Sequence, residues 1–227
     1  MTPARHPPLP EIRAASDRSL LVSFGGEISA ETASRIARLT RALAGRSGVV
    51  NLHPAYVSVL VEFDPSRQSH REIEALVRAV LAGAEQERPD SYAPPLIEIP
   101  VRYGGEYGPD LEDVARHAGL SAERVVELHA SATYRVHFLG FSPGFPYLGG
   151  LPPELATPRL AVPRKLVPAG SVAIGGSHTG IYPMDSPGGW RIIGCTALRL
   201  FDAGAASPAL LAMGDLVRFV PAREGRA

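Results

Sequence analysis

Apolar positions recur with two different periods along this chain, and the change of period marks its elements. Residues 19–24, SLLVSF, read as a strand. Behind Ser29, a good N-cap type, Ile36, Leu39, Ala42 and Leu43 fall at helical spacing, which predicts a helix over 31–43 ended by Gly45 and Gly48. From Tyr56 to Phe63 the period is two: Val57, Val59, Val61 and Phe63 alternate with Ser58, Leu60 and Glu62. That predicts a strand paired with 49–52 through a turn at His53-Pro54. Ser69 and Glu72 have capping-box spacing ahead of a second amphipathic stripe, Ile73, Leu76, Val77, Val80 and Leu81. The order β-α-β-β-α predicts a small α+β domain over 11–84. It follows a disordered Pro-rich leader over 1–10 and precedes a linker over 85–95.

The second half, 96–227, opens with an alternating strand, LIEIPVRY, and two short helices, DLEDVARHAGL and SAERVVELHAS, joined at a Gly-containing turn. Helix-turn-helix is the sharp reading of that pair. The second helix carries one Arg among acidic and neutral neighbours, so a helical hairpin packed on a sheet fits better. From Tyr134 onward, YRVHFLGF, SVAIGG, GIYPM, WRIIGC, ALRLF and DLVRFV alternate with Gly/Pro turns, the pattern of an all-β barrel or sandwich. Within it, FLGFSPGFPYLGGLPPEL (138–155) reads as a loop, unusually apolar and stiff.

Composition narrows the function. Lys plus Arg equals Asp plus Glu at 23 each, without the basic excess of a nucleic-acid reader. No apolar run approaches the roughly 18 residues of a membrane span, and the N-terminus lacks a signal-peptide core. The single cysteine, Cys195, permits no internal disulfide, and the expected location is cytoplasmic. Residues 140–190 hold 10 of the 23 Gly and 9 of the 22 Pro.

Candidate chemistry is mostly negative. The seven histidines, at 6, 53, 70, 117, 129, 137 and 178, show no metal-ligand spacing, and His129 and His137 read as hydrogen-bonded groups near a strand end. GGSHTG (175–180) lacks the Lys and helix of a phosphate loop and reads as a β-turn. Ser142, Ser171, Ser177 and Ser186 lie in turns without a nucleophile elbow, and Cys195 reads as structural. What remains is aromatic and cationic: Phe141, Phe145, Tyr147, Tyr182 and Trp190 with Arg159, Arg164, Lys165 and Arg191. Core aromatics with solvated cations is the plain reading. A pocket or partner-docking surface for something anionic and partly planar explains more of the pattern.

Four long stretches, VRYGGEYGPDL, YRVHFLGFSPGFPYLGGLP, PRLAVPRKLVPAGSVAIGG and TGIYPMDSPGGWRIIGCT, resemble the family variously called allophanate hydrolase subunit 1, 5-oxoprolinase B subunit and Kip-type inhibitor of a sensor histidine kinase. The resemblance covers residues 11–221 and is strongest over 97–200. It implies a cyclophilin-like β-barrel after the α+β domain. It implies a sister C subunit of the allophanate hydrolase subunit 2 type and an A subunit, which together with this chain open 5-oxoproline to glutamate at the expense of ATP. The same pair of folds forms carboxyltransferase domains acting on urea or a related amide, with biotin supplied only through a partner. A kinase inhibitor without turnover is the non-enzymatic alternative, and prolyl isomerase activity is disfavoured because no stretch matches the cyclophilin site.

The resemblance carries a catalytic role onto Arg164, His178 and Ser171. It carries substrate binding or a partner interface onto Pro143, Gly144, Phe145, Tyr147, Tyr182, Ser186, Gly188, Gly189 and Trp190, with no metal ligands. The aromatics of 138–150 would form a rigid pocket wall covered by the partner. Glu106 and Asp110 belong to the first motif, with capping of the following helix as the plain role for the acid. His178 stands where the family usually has Gln, and Cys195 stands where it usually has Arg.

Overall fold

In a computed structural model, which describes residues 9–25, 28–86 and 94–222, the chain forms two compact units divided near residue 94. The first contains β1 (Glu11–Ser16), β2 (Ser19–Ser23), α1 (Ala30–Leu43), β3 (Val49–Pro54), β4 (Ser58–Phe63) and α2 (His70–Gln86). Its antiparallel sheet has the order β1-β2-β4-β3. Both helix starts follow from their caps: Ser29 Oγ accepts from Thr32 N at 3.1 Å, and Ser69 N donates to Glu72 Oε2 at 2.7 Å. Ile36, Leu39 and Leu43 of α1 and Ile73 and Val77 of α2 are buried, as are Leu20, Val22, Val59, Val61 and Phe63 of the sheet. Strand β1 carries no apolar alternation and goes unpredicted. His53 and Pro54 end a strand, where a turn was expected, because Ala55 N bonds Ser58 O and shifts the reversal to 55–57. The expected leader falls almost wholly, and the expected linker largely, outside the described residues.

The second unit contains β5 (Leu96–Tyr103), α3 (Leu111–Ala118), α4 (Ala122–Ser131), β6 (Tyr134–Leu139), β7 (Pro146–Gly149), β8 (Arg164–Val167), β9 (Ser171–Gly175), β10 (His178–Ile181), β11 (Ser186–Gly188), β12 (Arg191–Cys195) and β13 (Leu216–Pro221). Seven of these strands close into a barrel in the order β10-β7-β6-β13-β5-β12-β9, while β8 and β11 pair as a separate ribbon. Ile99, Val101, Val136, Leu148, Val172, Ile174, Ile181, Ile193, Val217 and Phe219 are buried in the core that the barrel shares with α3 and α4. No helix among the described residues is long and apolar enough to cross a membrane.

Two expectations for this unit change. The stretch 138–155 is only partly a loop: it completes β6, turns at 140–145 and returns as β7 before a short 3-10 turn at Pro153–Leu155, so Phe138, Leu139, Tyr147 and Leu148 are strand residues. ALRLF forms no strand beyond a single bridge from Phe201 to Ala209. His129 lies in helix α4, fully buried, and stacks on Phe219 at 4.5 Å. Thr179 Oγ1 donates to Ala173 O at 3.0 Å, so it accepts from His129 Nε2–H at 3.0 Å, and Nδ1 accepts the Tyr103 hydroxyl at 2.8 Å. Both ring nitrogens are satisfied in one neutral tautomer.

Burial pulls the His129 pKa down to about 3. The unfolded chain binds this proton below about 6.5, whereas the folded chain refuses it until about 3. The contribution of His129 to stability is therefore complete above pH 6.5 and is lost as pH falls towards 3, by about 1.4 kcal/mol per pH unit. Urea midpoints measured from pH 7.5 to 4.5 should fall more steeply for the wild type than for His129→Gln. Equal slopes would mean that the folded protein accepts the proton.

Candidate functional site

The outer face of the barrel, on the side of β7, β10 and β9, carries the residues that the sequence singled out. Register sets the pattern. Thr179 pairs with Leu148 and both are buried, so their neighbours point outward: His178 stands beside Gly149, and Gly180 beside Tyr147. On the other side His178 pairs with Gly175 and Gly180 with Ala173. Glycine thus alternates with ring-bearing residues on β7 and β10, and β9 adds the small residues Ala173 and Gly175 beside them.

Those glycines seat the rings. A Cβ on Gly149 would collide with the His137 imidazole, and one on Gly188 with the Tyr182 hydroxyl. A Cβ on Gly175 would lie 2.5 Å from two Trp190 ring carbons, and one on Gly180 would lie 2.8 Å from Pro146 O and 3.0 Å from Phe145 Cζ. The Gly enrichment of 140–190 therefore serves close ring-on-backbone packing at these positions.

Phe145, Tyr182 and Trp190 pack with Val167, Ala173 and Ile192 into a second buried cluster, with Tyr147 against it. Phe145 meets Tyr182 at 5.2 Å and Trp190 at 5.5 Å, both edge-to-face. Of the aromatics of 138–150 only Phe145 is buried within the chain, whereas Phe138 and Tyr147 are half-buried and stay available to a partner. Phe141 is 61% exposed with φ of 67° at the β6–β7 turn, a backbone region where a non-glycine residue is strained.

At the rim of this cluster stand four partly buried groups and one exposed cation. His137 and His178 rings lie 6.2 Å apart. Burial holds both imidazoles below the usual histidine range, helped by each other's proximity at His137 and by Arg159 at His178. Both are neutral at neutral pH. His178 Nδ1 is 3.3 Å from Ser177 Oγ. Tyr147 stacks on Phe138 at 4.5 Å and meets Trp190 at 5.9 Å, and burial raises its phenol pKa. The Arg159 guanidinium lies over the Trp190 ring, 5.7 Å from its centroid.

The structure does not bring the three expected catalytic residues together. His178 is at the rim. Arg164 forms a bidentate ion pair with Asp110, at 2.7 and 2.9 Å. Ser171 is buried four residues along β9 from Gly175, roughly 13 Å at strand rise. The capping role for Asp110 is also corrected. Its carboxylate makes no cap bond and instead takes Arg164 and the Ile192 N–H, at 2.7 Å. Arg191 likewise pairs with Asp113, at 3.1 Å.

Of the remaining candidates, Pro143 and Gly144 shape the β6–β7 turn, and Gly144 has φ of 80° against Phe201. Gly189 packs on Pro163, and the Ser186 hydroxyl is buried with no hydrogen-bond partner among the described residues. Cys195 ends β12, and burial raises its thiol pKa, as befits a structural residue. Sequence reasoning counted Arg159 among four candidate cations without singling it out, and it left His137 out of the site. Nothing in the linear spacing places 137, 147, 159 and 178 side by side; strand register does.

A cleft of about 640 Å³ opens at the other end of β9, lined among others by Gly170, Met184, Asp185, Leu198, Arg199 and Phe201. Asp185 accepts from Ala169 N and Arg199 pairs with Asp202. Among the described residues no group of three or more His, Cys, Asp or Glu is placed to hold a metal ion.

Comparison with known proteins gives this surface a context. The family model described as carboxyltransferase domain, subdomain C and D, matches residues 10–211. The 5-oxoprolinase B subunit of Escherichia coli O157:H7 is 50% identical over 210 residues, 92% of this chain and 94% of that protein. The 5-oxoprolinase B subunit of Bacillus subtilis (strain 168) is 38% identical over 227 residues, 92% of each. Among solved structures, that of TTHA0988 superposes with a TM-score of 0.80 at 40% identity, covering 91% of this chain and 40% of that one. The chain thus spans two fifths of the length of that solved protein.

Proposed function

The chain belongs to the family of carboxyltransferase domains, subdomains C and D, and from that premise we propose that it is the B subunit of an ATP-dependent 5-oxoprolinase. Such an enzyme consumes 5-oxoproline, ATP and water and releases glutamate, ADP and phosphate. The observation that carries the reading is the end-to-end likeness to the Escherichia coli protein. The site is consistent with it. A ring-lined surface with two neutral imidazoles and an exposed Arg suits a small, flat, anionic lactam better than a polymer.

A stable lactam needs activation before water can open it, and phosphorylation of its carbonyl oxygen by ATP would supply a leaving group. Fixed donors would then hold the developing negative charge. GGSHTG, the only Gly-rich turn that invited a nucleotide reading, is the reversal between β9 and β10 and carries no Lys. We therefore place ATP binding on the assembled enzyme, with a sister C subunit of the allophanate hydrolase subunit 2 type and an A subunit, and expect this chain to be inactive alone. A cyclophilin-like topology for the barrel and a cytoplasmic location belong to the same proposal.

The test is made on the complex. The tagged chain is purified from its native host with whatever binds it, and glutamate formation from 5-oxoproline is measured with and without ATP. Glutamate with matching ADP is the expected result. A sister protein present without glutamate would sink 5-oxoproline as substrate and transfer the weight to carboxyl transfer, with biotin brought by a partner. A histidine kinase in place of that sister protein would make the chain a regulator.

A further inference from the structure

Four cations lie in the Gly/Pro-rich half of the second unit, and the structure treats them differently. Arg164 and Arg191 are paired with Asp110 and Asp113. Lys165 is exposed on the β8–β11 ribbon. Arg159 is also exposed, yet it has no carboxylate within ion-pair distance among the described residues, and its backbone is pinned on both sides. Thr157, buried, exchanges two backbone hydrogen bonds with Gly176, at 3.2 and 2.8 Å. Pro158 O accepts from Arg191 Nε at 3.3 Å, and Leu160 N donates to Gly189 O at 2.7 Å. Trp190 lies beneath the guanidinium. A solvated surface arginine has no need of such fixing. The Thr157–Gly176 pairing also sets this segment against the start of β10, so the positive charge bears on His178, Tyr147 and Tyr182.

We propose that Arg159 is the receptor for the substrate's carboxylate, held over Trp190 so that a flat lactam ring is laid between Tyr147 and His178. This deepens the reading of the chain as part of a 5-oxoprolinase and rests on it. A guanidinium matches a carboxylate through two parallel N–H donors, and a fixed one loses less side-chain entropy on binding. A phosphate of ATP would satisfy the same fork, and the test separates the two.

In the assembled enzyme, Arg159→Ala should raise KM for 5-oxoproline by about 10- to 100-fold, the scale of one charge-assisted hydrogen-bonded contact. KM for ATP should stay unchanged, kcat should stay within a few-fold, and Arg159→Lys should recover part of the loss. A rise in KM for ATP instead, or no change in either, overturns the proposal. A second readout does not need turnover: the full chain is titrated with 5-oxoproline while the histidine ring signals are followed by NMR. The His178 signals should move in the wild type and not in Arg159→Ala. If the complex makes no glutamate but this Arg159-dependent shift persists, the anion site stands and the 5-oxoprolinase reading falls. If the complex is active and Arg159→Ala leaves KM untouched, the reading stands and the carboxylate receptor falls.

Discussion

Replacing Asp110 with Ala should destabilise the barrel unit by about 3 kcal/mol, a drop of about 6–12 °C in its melting midpoint. The Asp110 side chain is 5% exposed and holds three donors: both terminal nitrogens of Arg164 and the Ile192 N–H. Its removal strips a buried backbone N–H of its acceptor and leaves Arg164 unpaired. Breaking a fully buried pair costs about 3–5 kcal/mol, and the 30% exposure of Arg164 lets water relieve part of it, which sets the lower end. Arg164→Ala should cost at least as much, about 3–4 kcal/mol, because the orphaned carboxylate is the more deeply buried partner. Once either is gone the other has less to lose, so the double variant should cost clearly less than the sum.

The same variants decide what Arg164 is for. As an ion-pair staple joining β8 to the start of α3 and to β12, Arg164 should affect stability and activity together, with Arg164→Lys poorly tolerated because a single ammonium cannot reproduce the bidentate geometry. Activity lost at full thermal stability would restore Arg164 to the reacting centre and remove the staple.

Local rules reached the elements and stopped at their assembly. Ser29, Ser69 with Glu72, and Ser121 announced three helix starts, because capping involves residues at most three apart. Alternation announced Ser58–Phe63 and Leu96–Tyr103 because each has one buried and one exposed face. It failed for Pro146–Gly149, where Phe145, Pro146, Leu148 and Gly149 are all buried: with the barrel interior on one side and the aromatic cluster on the other, period two vanishes. Tyr147, Trp190 and His178 were legible as members of a site through residue type and resemblance. Arg159 was legible only as one of four candidate cations and His137 not at all, because a Thr157–Gly176 bridge and a β6–β7 bulge bring them there. Asp110 shows the converse. It sits where a cap belongs, yet it bonds to partners 54 and 82 residues away.

The second large effect follows from the glycine pavement. Gly175→Ala should unseat Trp190 and destabilise the barrel unit by about 2–3 kcal/mol, the scale of overpacking a filled core. The added methyl would stand 2.5 Å from the ring carbons shared by both indole rings and 2.6 Å from the indole nitrogen. A Cβ is never that close to a neighbour, and neither side yields cheaply: strand β9 is paired on both sides, and Trp190 is 6% exposed against Phe145 and Tyr147. Because Trp190 is the only tryptophan in the chain, the displacement can be read directly as a red shift of its emission. Arg159 rests on that ring, so KM for 5-oxoproline should rise in the complex even under conditions where the variant stays folded. The neighbouring Gly176→Ala is the control. Its methyl would meet nothing within 4 Å, and its φ of +63° costs only about 1–2 kcal/mol of backbone strain with no change in emission. If Gly175→Ala kept the wild-type emission and midpoint, the ring would not be seated on this backbone, and the link from the Gly-rich sequence to a positioned Arg159 would break at its first step.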